Sequence, residues 1–229
     1  QEINIDKLLE AIANLESPKR DTESSPIFLV ARSFDINKPG SEIKNLNGGV
    51  LGGILRRGKL KVGDEIEIKP GLLVKKANQQ SYQTLKTKIL SLHKGNSSVE
   101  ETTPGASLSI ETELDPFLTK SDGLSGCVVS TSNNLPEISF KLKINYELFK
   151  FILGISDNQE VAPLKPKEML MLSLNTTITV GIVEKIKGNE VELSLNIPVV
   201  PIVGENVGMA RNINGHWRLI GFGEVLGSN

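Results

Sequence analysis

The sequence predicts an all-β molecule: two consecutive β-barrels preceded by one short helix. Three observations carry that expectation. The helical apolar period ends at Ser17-Pro18 and nearly vanishes after Pro26. Short strand-like runs then follow at roughly 10-residue spacing, separated by glycine or proline turns. The 229 residues suit two domains of about 100 residues each. The predicted division is residues 1–25 for a terminal helix and linker, 26–132 for the first barrel and 133–229 for the second. The boundary is placed at Ser132-Asn133-Asn134-Leu135-Pro136.

Ile3, Ile5, Leu8, Leu9, Ile12 and Leu15 include positions three and four apart, which makes one apolar stripe on a helix, with Asp6 acidic near its start. Residues 19–26 are polar and proline-flanked, as in a linker. The helix has nothing of its own nearby to pack on, so it reads as the last helix of a preceding domain.

Residues 47–68 organise the rest of the chain. An apolar strand leads to a basic turn at Arg56-Arg57-Gly58, a second turn at Val62-Gly63-Asp64, and the alternating strand Glu65-Ile66-Glu67-Ile68. Gly58 and Gly63 supply the positive φ that such turns need, and the alternation puts one face in a core. Gly48, Gly49, Gly52 and Gly53 read as part of the first strand, where glycine weakens pairing. Either a ligand approaches that backbone closely, or a barrel corner needs the space.

Further strands are expected at Ile27-Phe28-Leu29-Val30-Ala31 and at residues 82–92, 106–110 and 126–130, with a polar loop over 94–105. Beyond the boundary they are expected at 138–146, 168–174, 176–187, 190–196, 206–212 and 217–225. A hairpin turn falls at Lys187-Gly188-Asn189, and an apolar piece, helical or irregular, at 148–153.

Composition narrows the chemistry. Net charge is −1, so nucleic acid would have to be held by a local basic patch. The single Cys127 excludes an internal disulfide and fits a reducing compartment. No apolar run approaches the roughly 20 residues of a membrane span and no signal peptide opens the chain, so the expected location is cytoplasmic, without membrane contact. Gly53 to Lys59 has phosphate-loop glycine spacing, but Leu60 replaces the hydroxyl that would hold magnesium, and the pattern is strand-turn-strand. Asn37-Lys38-Pro39-Gly40 lacks the carboxylate a guanine-reading motif requires. With only His93 and His216, a serine–histidine–acid set has few ways to form, and a histidine-rich metal site has none. Cys127 opens an apolar strand and reads as a core thiol. His216 reads as a hydrogen-bonded structural residue. What remains is surface chemistry: Arg56, Arg57, Lys59 and Lys61; Lys69, Lys75 and Lys76; Lys86, Lys88 and Lys94. These can neutralise phosphates or simply solvate a strand face. Aromatics at 4% give poor support to a stacking platform for single-stranded RNA.

Residues 48–68 resemble the signature of the second domain of translational GTPases of the elongation factor Tu type. Residues 32–40, Arg-Ser-Phe-Asp-Ile-Asn-Lys-Pro-Gly, and 214–223, Asn-Gly-His-Trp-Arg-Leu-Ile-Gly-Phe-Gly, narrow the match, with 163–174 and 204–207 in support. Together they are similar to the gamma subunit of archaeal/eukaryotic translation initiation factor 2, in its archaeal form from its brevity. The resemblance implies elongation factor Tu domain II-like and domain III-like barrels, lacking the GTP-binding domain. The chain is then a fragment without enzyme activity and without a cofactor of its own, GTP and Mg2+ belonging to the full-length protein.

The implied function is delivery of methionylated initiator tRNA to the small ribosomal subunit, as part of a heterotrimer. By that likeness the tRNA acceptor end lies against Val50, Leu51, Gly52 and Gly53 on one strand and Ser91, Leu92, His93 and Lys94 on another. The glycines would admit it, and Lys94 would meet phosphate or ester oxygen. The alpha subunit docks on the second domain, with Asp35, Asn37, Lys38, Glu42 and Lys44 of the 33–47 loop as the contact. The beta subunit binds only through the missing domain. Rival readings are the selenocysteine-specific elongation factor, an enzyme of the adenylyl-sulfate synthesis type, and a pure assembly scaffold.

Overall fold

The structure, a computed structural model, describes residues 4–16, 18–76, 79–154 and 159–228. Ile3, Ser17 and the Lys76 side chain lie outside the described residues. Helix α1 (Ile5–Ala13) forms as the spacing predicts, but none of its residues is buried; Leu8 and Leu9 are more than half exposed.

The first unit contains β1 (Ile27–Phe34), β2 (Val50–Arg57), β3 (Leu60–Lys61), β4 (Glu65–Lys76) and β5 (Gln79–Lys94). It continues with β6 (Ser97–Val99), β7 (Glu101–Thr102), β8 (Ser107–Thr112), the short helix α2 (Pro116–Thr119) and β9 (Val128–Thr131). Its sheet runs β4-β9-β1-β2-β8-β5-β6, and the β4–β5 pairing closes it into a barrel. The second unit contains β10 (Ser139–Leu148), β11 (Met169–Leu174), β12 (Thr177–Lys187), β13 (Glu190–Val199), β14 (Asn206–Ile213) and β15 (His216–Gly227). These strands close as β10-β13-β12-β11-β14-β15. The two-barrel expectation is therefore met.

Local expectations need three corrections. The 94–105 stretch is a turn carrying β6 and β7, because residues 97–99 pair back onto the end of β5 and β7 pairs with β3. Gly48 and Gly49 precede β2. Of the two readings left open for 148–153 the irregular one holds, with an isolated bridge between Phe151 and Glu160. Residues 20–26 are docked on the first barrel: Gly58 N donates to Asp21 O at 2.9 Å, and Arg20 Nη1 donates to Pro104 O at 2.8 Å.

Ile27 to Val30 is an unbroken apolar run because both faces of β1 are covered. Phe28 and Val30 point into the first barrel's core. Ile27 and Leu29 point outward into a seam with Val128, Leu135, Val200 and Ile202, so the barrels share an apolar contact. Full burial contributes about 1.5–3 kcal/mol per side chain of this size. Thr177 Oγ1 donates to Gly126 O at 2.6 Å beside that seam. No helix among the described residues is long and apolar enough to cross a membrane.

Candidate functional site

The residues carried over for the acceptor end fall on three adjacent strands, and strand alternation divides them. Leu51 and Leu92 both pair with Ile110, and all three are fully buried core residues. They cannot touch a ligand. Val50 is also buried, at 5% exposure. The outward row runs Arg32, Gly52, Ser109, His93 across β1, β2, β8 and β5. The next row contains Phe34, Val50, Glu111 and Ser91.

Glycine crowding has mainly an internal cause. A Cβ on Gly48 would lie 1.7 Å from Thr112 O, and one on Gly53 would lie 1.9 Å from Leu29 O. A Cβ on Gly49 would strike the Thr119 side chain at 2.5 Å. These three glycines let the barrel's own chain segments close up, so the idea that all four make room for a ligand is corrected. Gly52 differs: its nearest neighbour is the exposed Phe34 ring, at 3.4 Å.

Polar groups converge beside Gly52. The Ser91 hydroxyl donates to Glu111 Oε2 at 2.7 Å, and His93 Nε2 lies 3.3 Å from Ser91 Oγ. The carboxylate bonds the serine and not the histidine, the reverse of the order a nucleophilic relay requires. The cluster presents a hydroxyl, a carboxylate and one imidazole on the outward face. Arg32 Nε reaches both Asp122 oxygens, at 2.8 and 3.1 Å. That bond, with the Ser33 N–H, holds the Asp122 carboxyl below its ordinary range. Lys94 Nζ is turned to Thr103 O at 3.4 Å. Arg32, Phe34, Ser109 and Glu111 were missed by the sequence reading. The alternation Ser107-Leu108-Ser109-Ile110-Glu111 could have shown two of them facing out.

The 35–47 loop is stapled by Asn37. Its side-chain oxygen accepts from Asn47 N at 2.7 Å, and its Nδ2 donates to Asn47 O at 2.9 Å and Asp35 Oδ1 at 2.8 Å. The backbone and side-chain amides of Asn37 together lower the Asp35 pKa. Lys44 and Glu42 pair with each other at 3.0 Å, and Lys38 is exposed. The apolar residues here escaped notice: Ile43 is 88% exposed and Phe117 76%. A cavity of about 470 Å3 opens between Phe34, Asp35, Lys38, Leu46 and Lys120.

Most of the basic groups are engaged. Arg56 meets Glu205 at 3.5 Å, Lys59 meets Glu23 at 3.1 Å and Lys61 meets Glu101 at 2.9 Å. Lys69 is buried. Cys127 is 3% exposed, and burial pushes its thiol up to about 11, which suits the core role. His216 is exposed at the start of β15, with no ring hydrogen bond among the described residues.

GTP and magnesium do not fit the Gly53–Lys59 glycine spacing. Residues 53–57 lie inside β2, Leu60 is a fully buried core residue, and no helix follows to receive a phosphate.

Comparison with known proteins agrees with this architecture. Residues 140–225 match the family profile described as initiation factor eIF2 gamma, C terminal. The translation initiation factor 2 subunit gamma of Methanocaldococcus jannaschii is 44% identical over 227 residues, 99% of this chain and 55% of that one. That of Pyrococcus furiosus is 44% identical over 223 residues, covering 97% and 54%. The chain thus spans about half the length of the relatives it matches. By fold, it resembles the elongation factor SelB of Methanococcus maripaludis in complex with the GTP analogue GPPNHP. The TM-score is 0.72 at 19% identity, covering 100% of this chain and 49% of that one. A bacterial selenocysteine-specific elongation factor gives 0.70 at 18%, covering 99% and 32%. At such identities the likeness speaks for the fold, whereas the 44% identity over nearly all of this chain speaks for kinship with the matched half of the gamma subunits of translation initiation factor 2.

Proposed function

We propose that the outward strip around Gly52 receives the aminoacyl end of initiator Met-tRNA, within a full-length protein that delivers it to the small ribosomal subunit. The observation that carries this reading is the outward row Arg32, Gly52, Ser109 and His93, where a Cβ on the one glycine would clash with nothing: its neighbours include the Phe34 ring at 3.4 Å and the Arg32 carbonyl at 3.8 Å. Of the residues carried over from the family, Gly52, Ser91 and His93 are kept as contacts. Gly53, Lys94 and the covered Val50 border them, and Leu51 and Leu92 support the strip from within. In this reading the structural domains are 26–132 and 133–229. GTP and Mg2+ act elsewhere in the full-length protein, and the chain described here has no catalytic role. The alpha subunit docks on the stapled loop, with Ile43 and Phe117 as apolar anchors beside Asp35, Lys38, Glu42 and Lys44. The beta subunit binds outside these barrels.

The test is Gly52→Val in the full-length, GTP-loaded protein. Met-tRNA affinity should fall about tenfold, roughly 1.4 kcal/mol, with capture of the alpha subunit intact. Ile43→Asp should do the opposite. Unchanged tRNA affinity in Gly52→Val would remove the strip from the reading.

A further inference from the structure

Residues 20–26 form an acidic strap across the turn that ends β2. Gly58 N donates to Asp21 O at 2.9 Å, and Lys59 Nζ bonds Glu23 Oε1 at 3.1 Å. Asp21 Oδ1 accepts from the Glu23 and Ser24 amides, each at 3.0 Å, which curls the strap over the turn. Gly58 has φ +76°, and a Cβ there would lie 2.5 Å from both Pro26 Cα and Ser24 O. Glycine at this position therefore serves the docking of the strap as well as the turn.

At the turn beneath the strap Arg57 and Lys59 flank the Gly58 N–H, while Arg56, one step back on β2, is paired with Glu205 of the second barrel at 3.5 Å. The Arg57 Nε is buried and has no hydrogen-bond partner among the described residues. The strap atoms bonded to Gly58 and Lys59 are oxygens, one a carbonyl and one a carboxylate. Cationic side chains with a turn amide are also the set that grips phosphate oxygens along a nucleic-acid backbone. The ionic part of the cover is held weakly: Glu23 is 84% exposed and Lys59 39%, and exposed pairs contribute about 0–1 kcal/mol. A polyanion gains counterion release on displacing it.

We propose that the 56–59 tip is a second surface for the phosphate backbone of RNA, and that the Asp21–Glu23 strap is an intramolecular cover which RNA displaces. The tip lies five residues along β2 from Gly52, about 17 Å at strand rise, so it is distinct from the acceptor-end strip. Preference for RNA over another polyanion rests on the chain's place among translation factor subunits; the masking of the tip does not.

The experiment compares the 229-residue chain with its Asp21→Asn/Glu23→Gln variant, by fluorescence anisotropy with a short mixed-sequence single-stranded RNA across a salt series. The variant should bind about tenfold more tightly at low salt, with a log–log salt slope steeper by about one to two. Adding Lys59→Gln should abolish the gain; this side chain is exposed, so the outcome is readable even if an Arg57→Gln variant fails to fold. Gly52→Val should leave the gain untouched, which separates this surface from the acceptor-end proposal. A Glu184→Gln/Glu190→Gln control, altering charge on the second barrel, should show no gain. An equal gain in that control, a gain that survives loss of Lys59, or competition by polyglutamate as strong as by RNA would overturn the proposal.

Discussion

Lys69 Nζ lies 3.9 Å from Glu67 Oε2, with both side chains at most 6% exposed, and the pair clamps the chain segment between the barrels. Lys69 also donates to Leu135 O and Pro136 O at 3.2 Å and to Glu137 Oε1 at 3.1 Å, while Glu67 Oε1 accepts from Leu135 N at 2.8 Å. Leu135 at the same time fills the apolar seam. Polar and apolar contacts thus hold one connector from two sides, and the second barrel with it.

Removing one partner strands the other. Lys69→Ala leaves the buried Glu67 carboxylate without its counter-ion and two carbonyls without their donor, so urea unfolding should show a loss of about 3–5 kcal/mol. Lys69→Met with Glu67→Leu should recover much of that loss. If the single variant unfolds at the parent's midpoint, the clamp contributes nothing.

Gly52 and Gly53 are neighbours with opposite expected tolerance. Gly53→Ala forces a Cβ to within 1.9 Å of Leu29 O, whereas at Gly52 the nearest atom is 3.4 Å away on an exposed ring. Thermal unfolding should show Gly53→Ala strongly destabilised, by more than about 3 kcal/mol, and Gly52→Ala within about 1 kcal/mol of the parent. Equal losses would show that the outward strip is as tightly packed as the interior.

The Arg32–Asp122 pair gives a pH signature. Asp122 titrates below its ordinary 3.8 because Arg32 and the Ser33 amide bind its charged form. A folded pKa below the unfolded one means stability that is present above about pH 4 and lost as pH falls through the folded value. Carboxyl NMR titration should place Asp122 below 3.8 in the parent and return it toward that value in Arg32→Gln. An unshifted midpoint in the variant would assign the effect to the backbone amide alone.

Cys127 supplies a reporter of opening. Its thiol is 3% exposed and pushed up to about 11, so at about pH 8 a disulfide reagent should modify it only as fast as the first barrel unfolds. Prompt labelling of the native chain would contradict that burial.

The amino-acid sequence by itself determined the class of structure and most of its strands. Period-2 alternation as in Glu65-Ile66-Glu67-Ile68 and glycine turns at Gly58 and Gly63 are local signals, and local backbone sterics make them readable. The kinship with initiation factor gamma subunits was likewise visible in residues 32–40 and 48–68. Tertiary structure decided which residues of a strand face outward: Leu51 and Leu92 went to the core while Gly52 and His93 stayed open, because one step along a strand reverses the side. It also decided why glycines crowd around β2, since the carbonyls of Leu29 and Thr112 that exclude a Cβ belong to segments distant in sequence. The 20–26 segment looks like a linker from composition alone; only folding brings its carboxylates to the basic tip, because that attraction depends on distance in space, which spacing along the chain does not encode.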